Sequence, residues 1–401
     1  MPLKRVKTSI LPLCAAVVLA GCANTDLPSF KETEQLQLQE DEQRLWNRSK
    51  EEQYRLNSSG YLYQNAELTA YVNRVAQNLV PQDLASKGFK VEIKVLKNPQ
   101  LNAFAYPNGV IYLHTGILAK MENEAQLAAL IGHEMTHVTH RHTIENFRGV
   151  KNTTAILSAV ELATFPLGAY GGLASILGSV GAMAAISGYS QEAEREADRE
   201  GLLLMINAGY DPHEAPRLFE HLQRDVKEQK KQEPYFFGSH PRLQDRIDNY
   251  KRFLADRYAD ASGMKNSDVF MTRMTPLLLE NAALDLAMGR FQSAQSGIET
   301  YLQQNRQDAQ AYYWLGELYR QRKAQGDLEK AITQYHKAVS YDAQLPEPYK
   351  ALGLIYYKRH SYAQARTNLE KYIQLAPEAG DRNYMEQYID IMDSQANGGR
   401  P

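Results

Sequence analysis

Apolar residues in the first part of the chain recur at the spacings of helices and short strands. In residues 66–80, leucine and valine recur every three or four positions, which predicts an amphipathic helix. Residues 91–95 alternate between apolar and polar side chains, as a half-buried strand does. Residues 102–113 hold two apolar runs around a Pro-Asn-Gly turn, which predicts two further strands. A long helix is predicted over 122–146.

Residues 153–188 are unusually rich in small and apolar residues. A membrane-crossing helix needs about 18 uninterrupted apolar residues, and Glu161, Pro166 and repeated glycines interrupt the runs here. We therefore predict a buried helical pair or a mobile flap over a site, with a membrane-facing flap as the alternative. A further helix is predicted over 190–208.

The last third of the chain contains an internal repeat. The stretch AYYWLGELY at 311–319 returns as PYKALGLIY at 348–356, and Ala331 and Ala365 follow at matching places. This pattern resembles the tetratricopeptide repeat, a helix–turn–helix unit. A weaker copy spans 275–308, and we count it because about three units are needed to bury such a stack. The alternative is a set of plain helical hairpins, which the agreement between the stretches at 311–319 and 348–356 disfavours.

The first 22 residues resemble an export signal, with three basic residues near the start and a short apolar run over 8–20. The signal ends in Leu-Ala-Gly-Cys, which resembles a bacterial lipobox. We therefore predict cleavage before Cys22 and a lipid on its thiol; an ordinary secretory signal is the alternative. Ala23 favours the outer membrane by resemblance to lipoprotein sorting. Cys14 is the other cysteine of the chain, so the mature monomer has no pair to form a disulfide.

The predicted helix over 122–146 contains the sequence His-Glu-Met-Thr-His at 133–137. His133 and His137 are about 400° apart around a helix, so they share one face and can bind one zinc ion. Glu134 points about 100° away and can take a proton from a water at the metal, whose pKa zinc lowers to roughly 7. The motif therefore predicts zinc-dependent hydrolysis, with Glu134 as the general base.

A catalytic zinc needs a third protein ligand, and spacing alone does not identify it. His140 lies one turn beyond His137, but a third ligand on one straight helix gives poor tetrahedral geometry, so we interpret it as a supporting or surface residue. The helix over 191–201 offers four glutamates, and its charge is also typical of a solvated helix. A closed structural zinc site is disfavoured because such sites usually use cysteines.

The pair of motifs His133-Glu-Met-Thr-His137 and Glu194-Arg-Glu-Ala-Asp198 resembles the zinc metallopeptidases related to the C-a-a-X prenyl protease. Their shared pattern is HExxH followed by ExxAD on a later helix. The resemblance implies Glu194 as the third ligand and Asp198 as the residue that orients a ligand histidine. It further implies that Ala197 is small to let the two helices approach. Glu196 or Glu192 would replace Glu194 if the helix were rotated.

The resemblance covers about residues 61–380 and extends to exported members of the family that carry tetratricopeptide repeats. It includes Ser-His-Pro-Arg-Leu at 239–243, which is similar to the family's His-Pro segment. It implies that His240 approaches the zinc as an extra ligand that holds the enzyme closed. An ordinary loop histidine is the alternative, and a third possibility is a histidine that stabilises the tetrahedral intermediate. The lipobox departs from the soluble periplasmic members.

The expected fold is α+β, with a mostly helical, zincin-like peptidase domain that contains a small sheet, followed by an all-α solenoid. Along the chain, we expect a signal peptide at 1–21, a tether with a surface helix at 22–60, the peptidase domain at 61–258, a linker at 259–274, about three repeats at 275–379 and a tail at 380–401. A strand within 102–113 is expected beside the zinc, where it could take up an extended substrate by strand addition.

These patterns favour a metalloendopeptidase that holds one zinc per chain and acts on misfolded or stalled outer-membrane proteins. The repeats are expected to recruit clients or the assembly machinery, and the location is the periplasm, at the outer membrane through Cys22 or in soluble form. Lys+Arg 45 against Asp+Glu 47 gives no basic surplus, so a nucleic-acid partner is not expected. The alternatives are a chaperone-like scaffold with a closed zinc site and a purely structural zinc domain.

Lipidation at Cys22 predicts that the chain sediments with membranes and that Cys22→Ser releases it into the soluble fraction, because a lipidated thiol anchors it to the bilayer. Fractionation and mass spectrometry of the mature N-terminus test this. A mature N-terminus at any residue other than Cys22 would contradict the lipobox.

Overall fold

A computed structural model describes residues 27–150, 173, 176–186, 188–229, 240 and 243–397. The predicted signal peptide and Cys22 lie outside this part of the chain. So does most of the small-residue stretch over 153–188. Among the described residues, no helix is both long enough and apolar enough to cross a membrane.

The described chain is mostly helical and contains a small sheet, as expected. The helices of the N-terminal half are α1 Glu40–Asn57, α2 Ala66–Leu79, α3 Gln82–Ser86, α4 Thr115–Leu118, α5 Glu124–Thr139, α6 His142–Val150, α7 Ser179–Ile186, α8 Gln191–Asn207, α9 Glu214–Gln229 and α10 Leu243–Arg257. Those of the C-terminal half are α11 Ser267–Ala287, α12 Phe291–Gln304, α13 Ala309–Arg322, α14 Asp327–Tyr341, α15 Glu347–Lys358, α16 Tyr362–Leu375 and α17 Arg382–Asn397. The strands are β1 Glu92–Leu96, β2 Ala103–Ala105 and β3 Val110–His114.

The three predicted strands form one sheet in the order β1-β3-β2. The central strand β3 pairs in parallel with β1 and antiparallel with β2, so Tyr112 lies between Lys94 and Phe104. The turn between β2 and β3 requires a glycine, because Gly109 has a positive φ of 89° and its backbone lies against the carbonyl of Lys90. Because the strand order is β1-β3-β2, strand β2 lies at an edge of the sheet.

Helix α5 lies in the middle of the N-terminal half of the described chain, and every one of its residues is buried. It begins at the N-cap Asn123, whose side chain accepts a hydrogen bond from the backbone N–H of Gln126. It packs against the sheet, α2, α8 and α9. A helix buried on all sides has no solvated face, so its polar residues must find partners inside the domain.

Helices α5 and α8 touch backbone to backbone where two glycines face each other. A Cβ on Gly132 would lie 2.8 Å from the Gly201 carbonyl oxygen, and a Cβ on Gly201 would lie 2.7 Å from the His133 nitrogen. The close approach expected at Ala197 thus depends on Gly201, four residues further on. Ala197 itself is fully buried between the helices.

The segment predicted as a tether is more deeply embedded than expected. Phe30 is fully buried, and its backbone N–H donates to the Thr139 carbonyl at the end of α5. Helix α1 has one exposed face, but it also buries Leu45, Leu56 and the carboxylate of Glu52. The part of 22–60 that the structure describes is therefore no tether, because it packs on the end of the motif helix, whereas α1 keeps the exposed face expected of a surface helix.

Helix α7, the described part of the small-residue stretch, lies against β2 and α1. Its first turn is held by Glu52, whose carboxylate accepts the backbone N–H groups of Val180 and Gly181 at 3.3 and 2.9 Å. This is one buried helix of the predicted pair, and most of the predicted segment lies outside the described residues. A carboxylate at a helix N-terminus stabilises it by satisfying unpaired N–H groups and by opposing the helix dipole.

The connection from the peptidase domain to the repeats is short and bonded to the start of α5. The Lys265 carbonyl accepts the backbone N–H of Glu124, and the Asn266 side chain donates to the Glu124 carboxylate. Helix α11 already begins at Ser267, inside the segment predicted as a linker at 259–274. The repeats are thereby attached to the helix that carries the motif.

The predicted repeats are antiparallel helical pairs, α11 with α12, α13 with α14, and α15 with α16. The glycine of each Leu-Gly pair faces a side chain of the partner helix, Gly316 against Tyr335 and Gly353 against Leu369. The segment expected as a tail contains α17, which buries Met385 and Met392 against the last pair. The end of the solenoid is thus covered by a further helix.

Candidate metal centre

Four side chains from three parts of the chain meet beneath the sheet. Helix α5 contributes His133 and His137 one turn apart, α8 contributes Glu194, and His240 precedes α10. All four are buried, and their ligand atoms lie within 4.8 Å of one another. The residues named from the sequence as metal ligands are therefore adjacent in space.

The spacing of these atoms fits a zinc ion. Ligands placed tetrahedrally at 2.0–2.1 Å from zinc lie roughly 3.3 Å apart. The Nε2 atoms of His133 and His137 are 3.1 Å apart, and they lie 3.7 and 3.6 Å from the Glu194 carboxylate oxygens. Burial and the neighbouring His133 hold the pKa of His137 well below its ordinary value, so the imidazole is neutral, as a metal ligand must be.

The remaining glutamates of α8 point elsewhere. Glu192 is exposed, and Glu196 pairs with His142 rather than with the motif histidines. Of the acidic residues weighed from the sequence, Glu194 is the one that faces His133 and His137. His140 is turned away from this cluster and lies 3.9 Å from Glu196, as expected for a supporting or surface residue.

Asp198 lies one turn after Glu194 and contacts the outer nitrogen of His133, Nδ1, at 3.0 Å. The same carboxylate accepts hydrogen bonds from Arg246 and from the Tyr250 hydroxyl. Burial raises the pKa of Asp198, but Arg246 and His133 outweigh burial, so the pKa lies well below its usual value. An ionised Asp198 accepts the Nδ1 proton of His133 and so leaves Nε2 unprotonated for a metal.

Arg246 was not identified from the sequence. Its guanidinium is buried, hydrogen-bonds Asp198 and lies 3.3 Å from Glu194. The sequence does contain a signal, because an arginine next to Ile247 and one turn before Tyr250 interrupts the apolar face of α10. A cation on such a face is expected to be paired.

His142 and Tyr189 were also missed. The Nδ1 atoms of His137 and His142 are 2.9 Å apart, and Nε2 of His142 lies 3.1 Å from the Glu196 carboxylate. Tyr189 stacks on the His137 ring, with ring centroids 3.8 Å apart, and its hydroxyl bonds Thr143. Nothing in the HExxH pattern indicates these contacts, because they depend on how the chain turns after α5.

Glu134 and His240 face each other at the cluster. Nε2 of His240 lies 3.4 Å from the Glu134 carboxylate, and Nδ1 lies 2.9 Å from Glu194 and 3.2 Å from Nε2 of His133. Glu134 is fully buried, and neither of its carboxylate oxygens has a hydrogen-bond partner among the described residues. A buried carboxylate without hydrogen bonds is costly, which is typical of a group whose partner is a substrate, a water or an ion.

The edge strand β2 packs on α5, but its residues are fully covered in this structure. Helix α7 lies over it, and the Asn102 side chain donates to the Ala185 carbonyl. An extended substrate that pairs with β2 would therefore need α7 to move. The expected strand thus packs on the motif helix, and its position beside the zinc stays a prediction.

Comparison with known proteins gives two family matches, peptidase family M48 over residues 63–253 and a TPR repeat over 320–359. The beta-barrel assembly-enhancing protease of Escherichia coli K12 is 28% identical over 196 residues, which are 48% of this chain and 40% of that protein. The mitochondrial metalloendopeptidase OMA1 of Schizosaccharomyces pombe is 33% identical over 189 residues, 47% of this chain and 53% of that protein.

A putative beta-barrel assembly-enhancing protease of Vibrio cholerae is 27% identical over 229 residues, which are 55% of this chain and 46% of that protein. The aligned regions thus span about half or less of these relatives. The family match contains His133, Glu134, His137 and Glu194, and the buried donor set fits a zinc ion. Residues 63–253 of this chain therefore match peptidase family M48, and a match to a TPR repeat follows over 320–359.

Proposed function

We propose that this chain is a zinc metalloendopeptidase of the bacterial cell envelope. The observation that carries the proposal is the buried convergence of His133, His137 and Glu194 beside Glu134, within a domain of a peptidase family. Zinc held there would polarise a peptide carbonyl and acidify water to a pKa of roughly 7. The protein groups around it then bind the substrate and move the protons.

Glu134 is proposed as the general base. Its carboxylate is buried, lies next to the ligand cluster and has no hydrogen bond within the described chain, so it is available to a water. It takes the proton of that water during attack on the carbonyl carbon and then passes it to the leaving amine. Asp198 supports the reaction indirectly because it fixes the tautomer of His133.

His240 is proposed to hold the enzyme in a resting state. Its Nδ1 lies as close to Glu194 and His133 as a fourth ligand would, and its other nitrogen faces Glu134. An imidazole in this position occupies the place that a water and a substrate carbonyl need. Catalysis then requires His240 to move out, after which Glu134 can meet a water.

The substrates are proposed to be misfolded or stalled outer-membrane proteins, taken up in extended form along β2. Two bacterial relatives are named for beta-barrel assembly, which supports this class of client. The periplasm is the proposed location, with anchoring at the outer membrane through Cys22 or a soluble form as the alternative. A chaperone-like scaffold with a closed zinc site remains the second candidate function, and the contacts of His240 favour it.

The repeats are proposed to recruit clients or assembly factors through a groove. The groove has a volume of about 770 Å³ and lies between α13, α15 and α17. Its apolar lining includes Leu328, Leu354 and Tyr388. Lys323 and Lys358 are exposed at its rim and have no ionic partner in the described part of the chain. An extended peptide with acidic and aliphatic residues is complementary to such a surface.

Glu134→Gln is expected to retain zinc and to abolish cleavage, because the amide keeps the shape of the side chain but cannot take a proton. His133→Ala and Glu194→Ala are expected to lose zinc. Metal content and cleavage of an unfolded outer-membrane protein are measured on each variant. Glu192→Ala is the matched control on α8, because Glu192 is exposed. Full zinc in Glu194→Ala would refute the ligand set, and normal envelope function in Glu134→Gln would favour the scaffold.

His240→Ala is expected to cleave casein faster than the wild type at matched zinc content, because the imidazole no longer occupies the position of the water. The initial rate is the measurement. If His240 instead stabilises the tetrahedral intermediate, the rate falls by roughly 10²–10³ with zinc retained. That result would reject the resting-state role.

The double variant Lys323→Glu/Lys358→Glu is expected to bind a fluorescent acidic-aliphatic peptide several-fold more weakly, because each exposed charge pair contributes about 0.2–1 kcal/mol. The affinity of the wild type should also fall as salt rises. Lys50→Glu/Lys90→Glu is the control, since both lysines are exposed and lie outside the repeats. Equal losses in the two double variants would exclude the groove as the binding site.

A further inference from the structure

The two motif histidines use their ring nitrogens in the same way. In each, Nε2 points into the ligand cluster and Nδ1 points out of it. For His133, the outer partner is the carboxylate of Asp198. For His137, the outer partner is a second imidazole, His142, at 2.9 Å. Asp198 accepts the outer proton of His133, and His142 is placed to accept the outer proton of His137 in the same way.

The hydrogen atoms can be assigned along this chain of contacts. If Nε2 of His137 binds a metal, its proton is on Nδ1 and is donated to Nδ1 of His142. His142 then carries its own proton on Nε2 and donates it to Glu196 at 3.1 Å. Each contact has one donor and one acceptor.

The backbone is held in an unfavourable conformation to place His142 there. Arg141, between α5 and α6, has a φ of 61°, which is rare for a residue with a side chain. This turn brings His142 back to the face of His137. Arg141 is buried, its guanidinium lies 4.2 Å from the centre of the Phe30 ring, and it donates to the Gln37 carbonyl. Strain of this kind persists where the surroundings fix it, and it is frequent at functional sites.

We propose that His142 and Glu196 are positioning residues that orient His137 and strengthen its bond to zinc. The inference rests on the proposed zinc site and deepens it. The Glu196 carboxylate makes Nδ1 of His142 a better acceptor, and His142 in turn makes Nε2 of His137 a better ligand. Stacking by Tyr189 restrains the plane of the His137 ring, whereas the hydrogen bond that His137 donates to His142 fixes its rotation and its tautomer.

The test measures zinc affinity by competition with a chelator, in the full chain at fixed pH. His142→Leu removes the acceptor and is expected to weaken zinc binding about 10- to 100-fold. His142→Asn offers an oxygen near the former Nδ1 atom and is expected to recover part of that loss. Glu196→Gln keeps an acceptor but removes the charge, so its loss should be smaller than that of His142→Leu.

Two controls separate positioning from general damage. Glu192→Gln lies on the same helix as Glu196 but is exposed, so this variant should bind zinc like the wild type. Glu196 is 40% exposed, so Glu196→Gln is expected to fold normally, as circular dichroism would verify. The visible spectrum of the cobalt-substituted protein should change in His142→Leu, because the ligand field at His137 changes.

Wild-type affinity in a folded His142→Leu variant, or equal losses in His142→Leu and His142→Asn, would overturn the inference. Unchanged zinc affinity in Glu196→Gln would contradict the role proposed for Glu196. If the proposed zinc ligands are wrong, the result is different, because His133→Ala would then bind zinc as tightly as the wild type. The two failures are therefore distinguishable.

Discussion

The structure depends on the neutralisation of carboxylates in the middle of the peptidase domain. Glu134, Glu194 and Asp198 are all buried, and the guanidinium of Arg246 offsets one of their charges. An uncompensated buried charge costs several kcal/mol even after relaxation of its surroundings. A divalent cation among His133, His137 and Glu194 would balance the remaining two charges. Metal binding and the stability of this core are thus expected to be coupled.

The geometry that holds this cluster comes from the contact between α5 and α8. Gly132 and Gly201 allow the two backbones to touch, which brings Glu194 and Asp198 level with the two motif histidines. A side chain at either glycine would separate the helices by more than the few tenths of an ångström that metal coordination tolerates. The repeats begin only a few residues after a segment bonded to the start of α5, so the same helix links the cluster to the solenoid.

Much of this arrangement could be predicted from the sequence, because local spacing determines it. Sequence patterns predicted the three strands, the repeats and one helix over 122–146, and the HExxH spacing placed His133 and His137 on one face. The structure divides the predicted helix into α5 and α6, because the chain turns at Arg141. Glu194 could be chosen among neighbouring glutamates only through the resemblance, because the rotation of α8 is set by contacts distant in sequence. Arg246 and His142 escaped prediction, since one comes from a distant helix and the other from an unusual turn at Arg141.

The structure is closed at the two places that the proposed substrate would use. His240 lies at the ligand cluster against Glu134, and α7 covers the edge of β2. The two covers come from different segments and have different attachments, since Glu52 of α1 holds the first turn of α7, whereas Glu194 contacts His240. Moving one therefore does not by itself release the other. Cleavage would require both His240 and α7 to move. A peptide that displaces only one of them would therefore meet a site that is still blocked by the other.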